Sequence, residues 1–170
     1  MRRTVGVLSV VALTLAACGG GAVGGTIEVT GVDYGYSGVP ELVESGAELT
    51  FVNDSSGEVH EIVLMKIVDG EERSVQEILE LPEEESESLA EFQGVLVALP
   101  GENGTNPEAE GDSIAVTEPG RYALLCFIPQ GADPAVVAAA MEGGGEGPPD
   151  MGDGTPHAFL GMVAEFEVAG

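Results

Sequence analysis

This 170-residue chain contains two histidines, and both stand where a loop-like run meets a strand-like one. His60 opens "HEIVLMKIV", and His157 lies in "GTPHAFLGMVAEFEV", where a gap of four residues separates it from Met162. Cys126 stands near the end of "RYALLCFI". One thiolate, two imidazoles and one thioether form the donor set that selects copper, in a trigonal His2Cys arrangement with a weak axial methionine. Each residue also has a plainer reading: Cys126 as a small buried hydrophobe, Met162 as core, either histidine as a solvated side chain at a strand end. The chemical reading requires that all four converge.

The elements that would position them are short strands. In "AELTFVN" (47–53), Ala47, Leu49, Phe51 and Asn53 alternate with Glu48, Thr50 and Val52, the period of a half-buried strand. "TIEVTGVDYGY" (26–36) reads as strand. "HEIVLMKIV" (60–68) is apolar on both faces and is expected at the centre of a sheet. "RSVQEILEL" (73–81) has helical spacing, and the acidic run after Pro82 reads as a solvated loop edge. "DSIAVTEPGRYALLCFI" (112–128) reads as strand, Pro-Gly turn, strand, and "GMVAEFEVAG" as the terminal strand. A further short helix is predicted from Asp133 as its cap and Pro134 as its first residue. Many short strands divided by Gly, Pro and Asn turns predict an all-β sandwich.

The first residues have another purpose. Arg2 and Arg3 precede an apolar run, Val5 to Leu15, that is too short to span a bilayer as a mature helix. The run ends in "LAAC", which resembles the bacterial lipobox and implies a signal peptide over 1–17 with Cys18 lipidated. Residues 18–25 then form a Gly-rich tether, and two acyl chains suffice for stable anchoring. The expected location is the outer face of the bacterial cytoplasmic membrane. With Cys18 acylated, Cys126 is the one thiol left, and it is inert and buried, reactive, paired between molecules, or a metal ligand.

Removal of Arg2 and Arg3 leaves Lys66, Arg73 and Arg121 against 30 acidic residues, a formal charge of −27. Nucleic-acid binding is excluded, because phosphate neutralisation needs clustered Lys and Arg. Such a field steers cations and basic protein faces toward the chain, although acidity also serves solubility alone.

With these residues in place, the chain resembles the cupredoxins, the plastocyanin, azurin and halocyanin group. "FVNDSSGEVHE" matches a strand ending in Asn, a loop and a first histidine. "YALLCFIP", "PHAFLGM" and "VAEFEV" match the Tyr–Cys, His, Gly-Met and final-strand signature. The resemblance covers 26–170 and implies a Greek-key β-sandwich. It implies one type 1 copper ion held by His60, Cys126, His157 and axial Met162, with His157 at the solvent edge as electron port. Two departures stand out. Thirty residues, from Phe127 to Pro156, separate Cys126 from His157 where the family has only a few, and Glu61 follows the first histidine where Asn is frequent. Insertions are placed near 97–112 and 129–155; closure entropy grows only logarithmically with length, so the second does not forbid the site.

The implied activity is one-electron shuttling with a redox partner, a cytochrome or oxidase with a basic docking face. Two histidines cannot build a trinuclear oxidase centre, and no Ser-His-Asp arrangement, phosphate loop or His-Glu-x-x-His motif is present, so the chain does not read as an enzyme. The alternatives are a copper acquisition or storage lipoprotein and a cupredoxin-like binding module without metal.

Overall fold

The computed structural model describes residues 21–107, 109–143 and 150–170. The expected signal peptide, Cys18 and residues 144–149 of the Gly/Pro stretch lie outside the described residues. Two sheets face each other. One holds β2 (Gly35–Ser37), β1 (Thr26–Val32), β4 (Ala47–Asn53) and β7 (Ser113–Val116), in that order. The other runs β3 (Leu42–Val43), β9 (Val163–Val168), β8 (Gly120–Leu125), β5 (His60–Ile67) and β6 (Ala90–Ala98). Most pairs are antiparallel; β1 with β4 and β3 with β9 are parallel. The β-sandwich expected from the strand pattern is therefore the fold.

The alternation read in "AELTFVN" holds: Ala47, Leu49, Phe51 and Asn53 are buried and Glu48 is exposed. Ala47, Leu49 and Phe51 meet Val29, Ile62, Leu64, Leu96, Tyr122, Leu124 and Phe166 in the core between the sheets. β5 lies inside its sheet, between β8 and β6, as its unbroken apolar run predicts. Ile62 and Leu64 face the central core, whereas Val63, Met65 and Ile67 pack under α1 (Val75–Leu79) with Val75 and Ile78. Ser74 caps α1 through a reciprocal pairing with Glu77.

Three local features differ from expectation. The acidic run forms a short helix, α2 (Glu83–Glu87), with no buried residue, so it is solvated as predicted but not a loop. β6 begins at Ala90 rather than near Gly94, because its first half pairs only with β5 at the sheet edge and Glu91, Phe92 and Gln93 are exposed there. β3, two residues long, carries no periodicity to read.

The two insertions lie at the same end of the sandwich. Residues 101–105 stitch the two sheets together: Gly101 N–H donates to Asn53 O, Gly104 N–H to Phe51 O, and Val97 and Thr105 exchange backbone hydrogen bonds. The second insertion contains α3 (Pro134–Gly143), whose start follows the predicted cap, with Ala135 N–H donating to Asp133 Oδ1 at 2.9 Å.

Candidate metal centre

His60 is the first residue of β5, and the strand period puts it on the inward face with Ile62 and Leu64. The loop before it is clamped by the buried Asn53, whose Nδ2 donates to Glu58 O (2.9 Å) and Ala98 O (3.0 Å) while its Oδ1 accepts Ser55 N–H (3.0 Å). Cys126 lies one residue past β8 and continues the inward row of Tyr122 and Leu124.

His157 arrives from a distance, and the structure shows how. The chain after Cys126 and the chain before His157 pair as an antiparallel stem. Ala158 N–H donates to Cys126 O (2.7 Å), His157 N–H to Ile128 O (3.1 Å) and Gln130 N–H to Thr155 O (3.0 Å). Gly154 permits this approach, since a Cβ there would fall 2.1 Å from Gln130 O. The 30-residue separation is thus pinched off at its base, and His157 opens a 3-10 turn, His157–Leu160, beside Cys126. Gly161, at φ 106°, ends the turn in a conformation suited to glycine, and Met162 N–H returns to His157 O at 3.0 Å.

The three nitrogen and sulfur donors converge. Among the described residues, His60, Cys126 and His157 place one donor atom each within 4.8 Å of one another, all three buried. His60 Nδ1 lies 3.1 Å from His157 Nδ1, and Cys126 Sγ lies 3.4 Å from the same nitrogen. Met162 is buried in the apolar cluster that includes Cys126, Val59, Ile128 and Val137. His157 is 0% exposed, so the solvent-edge position implied by the resemblance is corrected. Tyr34 covers it, edge-on with ring centroids 5.0 Å apart. Tyr34 and Glu58 gave no sequence signal, because neither belongs to a periodic pattern pointing at the site.

Burial sets the charges. It lowers the His60 pKa to about 4, with His157 adding to the effect, and it lowers that of His157 against the opposing pull of Glu58. It raises the Cys126 thiol to about 12, with the Glu61 charge second. Without metal, the cluster is one thiol and two neutral imidazoles. Two Nδ1 atoms at 3.1 Å need a proton or a cation between them, and neither buried Nε2 has a hydrogen-bond partner among the described residues. The donors fit one type 1 copper ion: two imidazoles and a soft sulfur in a buried pocket, with Met162 in the apolar cluster that holds Cys126. Binding would release the thiol proton.

Glu61 takes the place where the resemblance favours Asn. Its carboxylate accepts Phe127 N–H at 2.8 Å, tying the first-histidine strand to the backbone after Cys126. Burial lifts its pKa from 4.5 to about 7, against the lowering effect of its backbone hydrogen bonds. A raised carboxyl favours the folded state below the unfolded pKa and loses that contribution as pH rises through the folded one. In the metal-free protein, Glu61→Gln should therefore gain stability relative to the parent between pH 4.5 and 7, by about 3 kcal/mol for a shift of this size. Denaturant titrations of both proteins across that range check it; a constant difference shows that Glu61 ionises normally.

A two-sheet sandwich with His, Cys, His and Met brought to one end in that chain order is a cupredoxin-like architecture, as the sequence resemblance implies. No family model and no curated protein matches the chain. Among solved structures, it is similar to the dithionite-reduced auracyanin of Roseiflexus castenholzii, at 21% identity over 88% of this chain and 100% of that one, with a TM-score of 0.47. Auracyanin A, described as a "blue" copper protein from Chloroflexus aurantiacus, aligns at 18% identity over 88% and 100%, with a TM-score of 0.44. A multi-copper oxidase from Pseudomonas thermotolerans aligns at 12% over 86% of this chain and 30% of its own length, with a TM-score of 0.37. These superpositions are loose, and the reading of the site rests on the donors themselves.

Proposed function

We propose that this chain is a type 1 copper protein that carries single electrons between redox partners, held by a lipid on Cys18 at the outer face of the cytoplasmic membrane. The observation that carries this reading is the convergence of one donor atom each from His60, Cys126 and His157 within 4.8 Å, all three residues buried. Bound there, copper supplies a one-electron couple that thiolate and imidazole donors accommodate in both oxidation states. The protein's part is to hold the donors still. The two strands fix His60 and Cys126, the stem fixes His157, and the apolar cluster around Cys126 and Met162 excludes water. Burial of all three donors favours retention of the ion over handing it on.

Anchoring rests on the "LAAC" sequence; among the described residues no helix is long and apolar enough to cross a membrane. The partner is a redox protein with a basic docking face, a cytochrome or oxidase, attracted by the acidic surface. Phe127, Phe159 and Leu160, each next to or near a donor in sequence, are exposed and available for contact.

Loading the purified metal-free protein with Cu(II) tests the reading. The expected result is stoichiometric uptake, an intense visible thiolate-to-copper band and a reversible one-electron wave. A colourless protein whose thiol still titrates overturns it, and sluggish redox with rapid transfer to a metal-free acceptor favours copper delivery instead.

A further inference from the structure

His157 Nε2 is buried, lacks a hydrogen-bond partner among the described residues, and lies 3.5 Å from Glu58 Oε2. That distance is within ionic reach but a few tenths of an ångström longer than a good N–H···O bond. The carboxylate is held in place from both sides. Gly131 N–H, in the second insertion, donates to Oε2 at 3.0 Å, and the Tyr34 hydroxyl lies 3.4 Å from Oε1. Gln130 Nε2 in turn donates to the Tyr34 hydroxyl at 2.8 Å. Tyr34 adopts φ +54°, a left-handed conformation that a residue of its kind keeps only where its surroundings impose it, often at functional sites.

At the other side of the ring, Nδ1 faces groups that can donate to it. His60 Nδ1 is at 3.1 Å and Cys126 Sγ at 3.4 Å. An imidazole with donors at Nδ1 and a carboxylate at Nε2 is stabilised as the Nε2–H tautomer. In that tautomer the Nδ1 lone pair points at Cys126 and His60.

We propose that Glu58 is the positioning residue of His157: held by Gly131 and Tyr34, it accepts Nε2–H, fixes the tautomer that presents Nδ1 to the metal, and places a negative charge behind the ligand. This rests on the copper reading of the site and gives the long Cys126–His157 insertion a task there. A carboxylate behind a ligating histidine strengthens its donor nitrogen, and losing such a partner typically weakens metal binding by roughly 10–100-fold.

Two measurements on the parent, Glu58→Ala and Glu58→Gln test it. In the metal-free proteins, long-range 1H–15N correlation spectra report the tautomer of His157. The parent should show Nε2–H; Glu58→Ala should shift to Nδ1–H or a mixture, and Glu58→Gln, whose amide oxygen still accepts, should keep Nε2–H. In the copper-loaded proteins, affinity should fall roughly 10–100-fold in Glu58→Ala and much less in Glu58→Gln. The reduction potential should rise in both, because both remove a charge that favours Cu(II). An Nδ1–H tautomer in the parent overturns the proposal. So does a Glu58→Ala protein that loses affinity with tautomer and potential unchanged, since that marks a packing role. If the parent takes up no copper, the copper reading fails, and the tautomer comparison still decides the contact between Glu58 and His157.

Discussion

Replacing Cys126 with serine should abolish the visible band of the copper-loaded protein and weaken copper binding by more than the roughly 10–100-fold typical of losing a supporting residue. Cys126 Sγ is the one soft anionic donor that the cluster can offer, and the band arises from that sulfur. A serine hydroxyl is a hard donor that stays protonated near neutral pH. The substitution has a second cost, because Cys126 is 0% exposed among Val59, Ile128, Val137 and Met162. An unpaired hydroxyl there costs about 1–3 kcal/mol. Cys126→Ala separates the two effects, since it keeps the apolar surroundings and should lose the band equally. Absorption spectra after copper titration of both variants, beside a denaturation midpoint for each, make the measurement. A serine variant that remains intensely coloured removes the thiolate from the site, and the electron-carrier reading with it.

The largest loss of stability is expected from Phe51→Ala, about 3–5 kcal/mol. Phe51 is buried in β4, opposite Val29 in the parallel register with β1, and its ring meets Tyr36 edge-on at 6.3 Å. Two glycines pack closely against it. A Cβ on Gly31 would fall 2.9 Å from its ring, and one on Gly104 would fall 2.9 Å from its Cβ and 3.1 Å from that of Leu96. Paired strands cannot move in to fill the space, so most of the cavity should persist, which places the cost high in the usual range. The same Gly31 position lies 3.5 Å from the Cβ of His60, so any partial collapse reaches the first histidine. The expected signature is a large fall in denaturant midpoint with an unchanged slope, a weaker copper affinity and a surviving visible band. That pattern differs from the Cys126 variants, which lose colour with a smaller loss of stability. A midpoint change corresponding to less than about 1 kcal/mol would show that the site repacks, contrary to the geometry.

Much of the site was legible because His60 opens a strand and Cys126 directly follows one. The folded chain turns His60 inward with Ile62 and Leu64, and Cys126 with Tyr122 and Leu124, but both strands are covered on both faces, so the period of two did not by itself choose that face. The apolar run of β5 announced a central strand for a related reason: both faces are covered, one by the opposing sheet and the other by α1. The short strand β3 and the early start of β6 were not legible. Their existence depends on which neighbour supplies the backbone partner, and edge positions impose little pattern on side chains.

His157 illustrates the boundary between the two kinds of information. The types and order of the donors, the strands that border His60 and Cys126, and the acidity of the surface follow from the sequence, because they depend on residue chemistry and local periodicity. The stem from Cys126 to Gln130 against Thr155 to Ala158, the burial of His157 under Tyr34 and the approach of Glu58 to its Nε2 were decided by the folded chain. Each of these is a contact between residues far apart in sequence, made by backbone groups or single side chains, and such contacts leave no repeating mark on the segments that form them.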